Sequence, residues 1–171
     1  MCSACDYYAE NAARLLKDEI VDIGAEKSYV TFEPLGVIYG VMPWNSPFWH
    51  LRFAVPAMYA GNGCVVKYAS NVPRSTLEIE KVFLEAGFQK HIFKALLIDS
   101  KTSMRIIAED RVNGASFTGS ITAGLEIGRL VGGIIKPLIL ELGGSDPSIA
   151  LEDTDIERAT QVAMKSRFIN T

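Results

Sequence analysis

The sequence of 171 residues predicts a mainly parallel, doubly wound α/β sheet, and three observations predict it. Short apolar, β-branched runs alternate with amphipathic stretches at βαβ spacing. Several of those stretches carry helix punctuation, with Pro47 and Pro73 at first helical positions and Gly61 and Gly87 just past the ends. No repeat, low-complexity tract or long linker interrupts the alternation.

Taken in order, "CDYYAENAARLLKDE" has helical periodicity, and "KSYVTFEPLGVIYGVM" then alternates and runs apolar like strands that bend at Pro34. Further strand-like runs lie around 64 to 67, 92 to 98, 112 to 117 and 134 to 141. Between them, "SPFWHLRFAVPAMYAG", "PRSTLEIEKVFLEAG", "SKTSMRIIAED" and "SITAGLEIGRLVGG" read as helices. An apolar content of 49% is ample for a core at this length.

Composition excludes some function classes. A net charge of −3 with scattered Lys and Arg gives no basic footprint, so nucleic acid is not an expected partner. The most apolar stretch, "LVGGIIKPLIL", is broken by glycines, Lys136 and Pro137 well short of a membrane span, and the expected location is the cytoplasm. Three cysteines make no disulfide framework. Cys2 and Cys5 form a C-x-x-C without a second pair, which reads as a terminus running into a helix rather than a zinc site. Cys64 reads as a small buried hydrophobe.

In doubly wound sheets ligands bind where strands end and helices begin, and four such junctions stand out. In "VMPWNSPFW" a strand ends at Pro43, Trp44 and Asn45. Asn45 either caps the helix opening at Pro47 or aims its amide at a developing oxyanion, a contact worth about 3 to 4 kcal/mol in a transition state. In "VVKYASNVP", Lys67 closes a strand; it is either a solvated charge or a donor to a ribose hydroxyl or phosphate, with Ser70 and Arg74 nearby. In "ASFTGSITAGLEIG", Gly119 and Ser120 open a helix whose free N–H groups and dipole suit a phosphate, although the spacing to Gly124 is not the usual G-x-G-x-x-G. In "LILELGGSDP", Glu141 ends an apolar run before Gly143 and Gly144. Burying a carboxylate there costs several kcal/mol or so unless it is paired, so a structural ion pair and a catalytic base both fit.

Together these four stretches closely resemble the aldehyde dehydrogenase family. "PWNSP" is similar to its Pro-Trp-Asn motif, "VVKYASNVP" to its adenosine-side loop, "FTGS" to its cofactor turn and "LELGGSDP" to its glutamate signature, in the family's order. The resemblance covers nearly the whole chain, and the wording of "LELGGSDP" is most like the succinate-semialdehyde dehydrogenase branch. It implies a small aldehyde substrate, succinic semialdehyde by the branch it is most like, and a cysteine thioester route with NAD or NADP as cofactor. Asn45 then matches the oxyanion donor and Glu141 the carboxylate that activates water. Pro43, Trp44, Lys67, Ser70, Thr118, Gly119, Ser120, Gly124 and Leu142 match cofactor-side positions, Trp44 and Thr118 among them lining the pocket.

The resemblance also implies a division of the chain. Residues 1–26 form a helical segment, 27–41 a hairpin resembling the family's oligomerisation strands, 42–144 the NAD(P)-binding unit, and 145–171 the start of a catalytic domain. The sequence departs from the family at its end: "SRFINT" stops at Thr171, where a family sequence continues Gly-Gln-x-Cys with the nucleophile. Neither Cys2, Cys5 nor Cys64 stands at that position, so the expectation is an internal fragment, inactive alone and prone to self-association. A non-catalytic nucleotide-binding or assembly module is the alternative. Ser46 replaces an aromatic residue common inside the Pro-Trp-Asn motif. Ser70 stands where NAD-preferring members often carry a glutamate, which removes repulsion toward a 2′-phosphate and admits NADP.

Overall fold

A computed structural model describes residues 2–168. Ile169, Asn170 and Thr171, on which the expected chain end turns, lie outside the described residues, as does the side chain of Cys2. The elements in order are α1 (Cys2–Leu15), β1 (Glu19–Ile20), β2 (Tyr29–Val30), β3 (Val37–Met42), a 3-10 turn (Trp49–Arg52), α2 (Ala54–Tyr59), β4 (Gly63–Tyr68) and α3 (Pro73–Glu85). They continue with β5 (Phe93–Ala95), α4 (Ser100–Ala108), β6 (Gly114–Gly119), α5 (Ile121–Gly133), β7 (Leu138–Leu142) and α6 (Ile156–Arg167).

Five parallel strands form one sheet in the order β5-β4-β3-β6-β7. The doubly wound α/β architecture read from the alternation of patterns is therefore present. The inner strands are short and flanked by helix, which is what buries both faces of a parallel sheet, whereas edge strand β7 is largely exposed. One core, around Met42, Val55, Cys64, Val66, Ile79 and Phe93, packs against α2 and α3. The other, around Tyr39, Ile107, Ala115, Phe117, Ile127 and Val131, packs against α4 and α5. At the sheet centre Gly40 leaves room for the Phe53 ring, which occupies the space a Cβ would fill.

Strand order reverses between β3 and β6: the chain winds outward one way through β4 and β5, then returns to start again at β6. That reversal opens a crevice at the carboxyl ends of β3 and β6, the place where such folds hold ligands.

Helix punctuation is confirmed in part. Pro73 is the first residue of α3, and Gly61 and Gly87 adopt φ of 84° and 88° just past α2 and α3. Pro47, in contrast, does not open a helix. Residues 47 and 48 make a turn, and one 3-10 turn separates it from α2. Pro56 explains the break, because a continuous helix from Pro47 would need an N–H at position 56 and would press the proline ring on the Arg52 carbonyl. Starting α2 at Ala54 places Pro56 in the first turn, where no donor is required.

The 27–41 stretch does not pair with itself. Tyr29 and Val30 pair antiparallel with Ile20 and Glu19, while Val37–Met42 is the central strand of the parallel sheet. The irregular stretch that contains Pro34 thus separates two sheets. The strand expected at 134 to 141 begins only at Leu138, since α5 runs on to Gly133 and Ile135 takes φ 54° as the chain turns. Helix α6 was not expected from the pattern, and none of its described residues is buried.

Candidate functional site at the carboxyl edge of the sheet

All four junctions singled out in the sequence lie at the same, carboxyl edge, because the strands they follow are parallel and in register. Val41 is opposite Lys67, Thr118 opposite Glu141, and Gly119 opposite Leu142.

Thr118 and Glu141 line one cavity of about 330 Å³ together with Tyr8, His50 and Arg52. Glu141 was expected to be buried, and it is not: its side chain is 55% exposed, because β7 is an edge strand whose Ile139–Glu141 face carries no helix among the described residues. A partner is present all the same. Arg52 Nη2 lies 3.5 Å from Glu141 Oε2 and also sits over the Trp49 ring. Half exposure keeps Glu141 within reach of water, which a base acting on water requires.

The Asn45 turn is held from below. His50, 7% exposed, places Nε2 2.8 Å from the Asn45 carbonyl, and the Tyr68 hydroxyl donates to the Pro47 carbonyl at 2.7 Å. Between them Ser46 has φ 70°, a region disfavoured for any residue with a Cβ. The helix-cap reading of Asn45 fails, since the residue before the 3-10 turn is Phe48 and has no side-chain cap. The Asn45 carboxamide is exposed and makes no hydrogen bond among the described residues, which leaves it available to a ligand. Pro43 is half-buried beside it, and Trp44 stands 61% exposed outside the cavity that Thr118 lines.

Ser120 caps α5, its Oγ accepting from the Ala123 N–H at 3.3 Å. The cap serves only Ala123. Backbone N–H groups of Ile121 and Thr122 keep no intrahelical acceptor and, with the helix dipole, suit an anion. A Cβ on Gly119 would come within 2.5 Å of Phe117 Cζ, so the strand-to-helix turn passes too close to that ring for a side chain. Gly124 is buried for a packing reason, with Leu142 occupying the space beside it, and both residues therefore set how α5 seats on β7.

Lys67 is 9% exposed at the end of β4, on the face where α4 begins, and its charge contributes to holding the Asp99 carboxyl below the usual range, behind the hydrogen bonds Asp99 accepts from Thr102. Ser70 opens a second cleft of about 300 Å³ with Tyr68, Thr76, Leu97 and Asp99. Arg74 is exposed at the start of α3. The structure thus joins Thr118 and Glu141 in one cavity, leaves Asn45 on the exposed turn after β3 outside its lining, and sets Lys67 near Asp99 of the cleft that Ser70 lines, with the β6 turn on the same sheet edge.

Sequence reasoning missed His50 and Arg52. Both fell inside a stretch read as one amphipathic helix, although the demand of Glu141 for a cation was a signal that one would be found. Burial pushes His50 below its usual pKa, with the bond to Asn45 opposing and Arg52 reinforcing that shift. Cys64, 1% exposed, has its thiol pushed up to about 12 by burial, which removes it as a nucleophile. Among the described residues no cluster of metal-ligating side chains occurs, and no helix is long and apolar enough to cross a membrane.

Known proteins are similar to this chain in sequence and fold. The chain is 46% identical over 167 residues to the Synechocystis protein named probable succinate-semialdehyde dehydrogenase (NADP+), covering 97% of this chain and 37% of that protein. It is 45% identical over 168 residues to the succinate-semialdehyde dehydrogenase (NADP+) of Mycobacterium avium. The crystal structure of succinic semialdehyde dehydrogenase from Streptococcus pyogenes in complex with NADP+ superposes with a TM-score of 0.93 at 35% identity, over 98% of this chain and 37% of that one. The chain therefore spans little more than a third of the length of the relatives it matches. The family model described as the aldehyde dehydrogenase family matches residues 1–171 throughout, and this chain belongs to that family.

Proposed function

We propose that this chain supplies the cofactor-holding part, and two of the catalytic groups, of an enzyme that oxidises an aldehyde with NADP+ or NAD+. The observation that carries the reading is the convergence of Asn45, Lys67, Thr118, Gly119 and Glu141 on one sheet edge, flanking the point where strand order reverses. The residues present fit a dinucleotide. Lys67 offers a nearly buried cation beside the Ser70 cleft, and the side-chain-free turn at Gly119 leads to two unpaired N–H groups at the start of α5. When bound, the nicotinamide supplies hydride acceptance.

This chain's own residues do the remaining work. Asn45 donates its amide N–H to the oxygen that gains charge when the aldehyde carbon becomes tetrahedral. Glu141 takes a proton from water for the hydrolytic step, and Arg52 beside it offers a cation to an acidic aldehyde such as succinic semialdehyde, the substrate in the relatives' names. Residues 42–144, with the start of β3, form the cofactor unit, and 145–168 lead away from it. We also propose self-association, supported by the exposed apolar side chains of edge strand β7 and of α6.

Calorimetric titration with each nucleotide tests the cofactor assignment. NADP+ is expected to bind at least as well as NAD+, and Ser70→Glu to shift the balance toward NAD+ by placing a carboxylate against the 2′-phosphate. Absence of binding, or an NAD+ preference that Ser70→Glu leaves unchanged, would overturn it.

A further inference from the structure

Two buried rings fasten the turn after β3 at two backbone carbonyls, Tyr68 at Pro47 and His50 at Asn45. A carbonyl only accepts, so His50 Nε2 carries the proton and Nδ1 holds a lone pair. That lone pair is buried and is the one buried side-chain polar atom without a partner among the described residues. The ring is therefore seated for the sake of its other nitrogen. Its bond lands next to Ser46, whose φ of 70° is a conformation a serine keeps only when its surroundings impose it. The Asn45 carboxamide takes no part in this fastening and stays free.

We propose that His50 is the positioning residue for Asn45: its Nε2–H, on a ring that lines the Thr118 and Glu141 cavity, fixes the backbone that carries the exposed Asn45 carboxamide. The chemical purpose rests on the reading of Asn45 as the oxyanion donor, since such a donor is effective only when held in place before charge develops. Charged and titratable groups facing the ring are Arg52 from its own segment, Glu141 from β7 and Tyr8 from α1, all around the same cavity. Burial and Arg52 both favour the neutral ring, which keeps Nδ1 free of a proton it has no acceptor for.

Nuclear magnetic resonance on the isotope-labelled 171-residue chain tests the proposal. Long-range nitrogen correlations are expected to show a single Nε2–H tautomer. The Asn45 backbone order parameter is expected to fall from about 0.85 to below about 0.6 in His50→Leu, and to stay high in His50→Gln, whose amide N–H reaches for the same carbonyl. A ring that merely fills space would lower the unfolding midpoint in both variants without loosening Asn45, and that result would overturn the proposal. Should His50→Leu fail to fold, the wild-type chain decides: an Nδ1–H tautomer, or Asn45 and Ser46 amide signals unmoved while His50 titrates, would equally overturn it. If NADP+ does not bind while His50→Leu still loosens Asn45, the positioning is supported and only the cofactor reading fails.

Discussion

Arg52 and Glu141 meet at 3.5 Å between the 3-10 turn and the end of β7, so a cation and the one carboxylate of the cavity share one mouth. Both side chains are about half exposed, and solvent screens such a pair. Arg52→Gln is accordingly expected to change stability by less than about 1 kcal/mol, with the small effect vanishing in high salt. Urea unfolding at two ionic strengths checks this; a loss of several kcal/mol would mean that the pair holds β7 in place.

Ser120 has a structural role and a proposed ligand-facing one, and substitution can separate them. Ser120→Ala removes the cap on Ala123 and should cost about 0.5 to 2 kcal/mol. Ser120→Asp restores the cap with a formal negative charge at the start of α5, so stability should recover while nucleotide binding weakens. Unfolding curves and nucleotide titrations on both variants check the pair of outcomes.

Acid should act through His50. Its pKa is lowered in the folded chain relative to the ordinary value of 6.5, so the unfolded chain takes up a proton first. The stability His50 contributes is complete above pH 6.5 and is lost as pH falls through the lower, folded value. Between pH 7 and about pH 5 the wild-type chain should lose more stability than His50→Gln, which has no imidazole to protonate. Denaturation midpoints across that range check the difference.

The parallel sheet and most helices were legible because each is a short buried run or an amphipathic stretch between glycine and proline. Pro73, Gly61 and Gly87 were read correctly because their roles depend only on their own φ and missing N–H. Pro47 was misread because Pro56, later in the same stretch, forbids the continuous helix that the apolar period suggests. Glu141 was expected in a buried setting because an apolar run looks the same in a central strand and an edge strand, and only the strand order shows which it is. His50 and Arg52 lay beyond sequence reading for a related reason. Their roles are set by tertiary contacts with Asn45 and Glu141 rather than by any local pattern.

Exposed apolar surface should have a measurable consequence. Ile139 of β7 and Val162 and Met164 of α6 are mostly exposed, and β7 offers an unpaired strand edge. The apparent mass by light scattering is expected to rise with concentration. A monomer at every concentration, unfolding cooperatively, would contradict the proposed self-association.

The central claim is that the carboxyl edge of the sheet holds the nucleotide, and mapping amide shifts of the labelled chain during an NADP+ titration tests it most directly. The account predicts the largest shifts at Gly119, Ser120, Ile121 and Thr122, with a second group at Lys67 to Ser70. Shifts confined to α1, α6 or the β1–β2 pair, or none at saturating nucleotide, would contradict it.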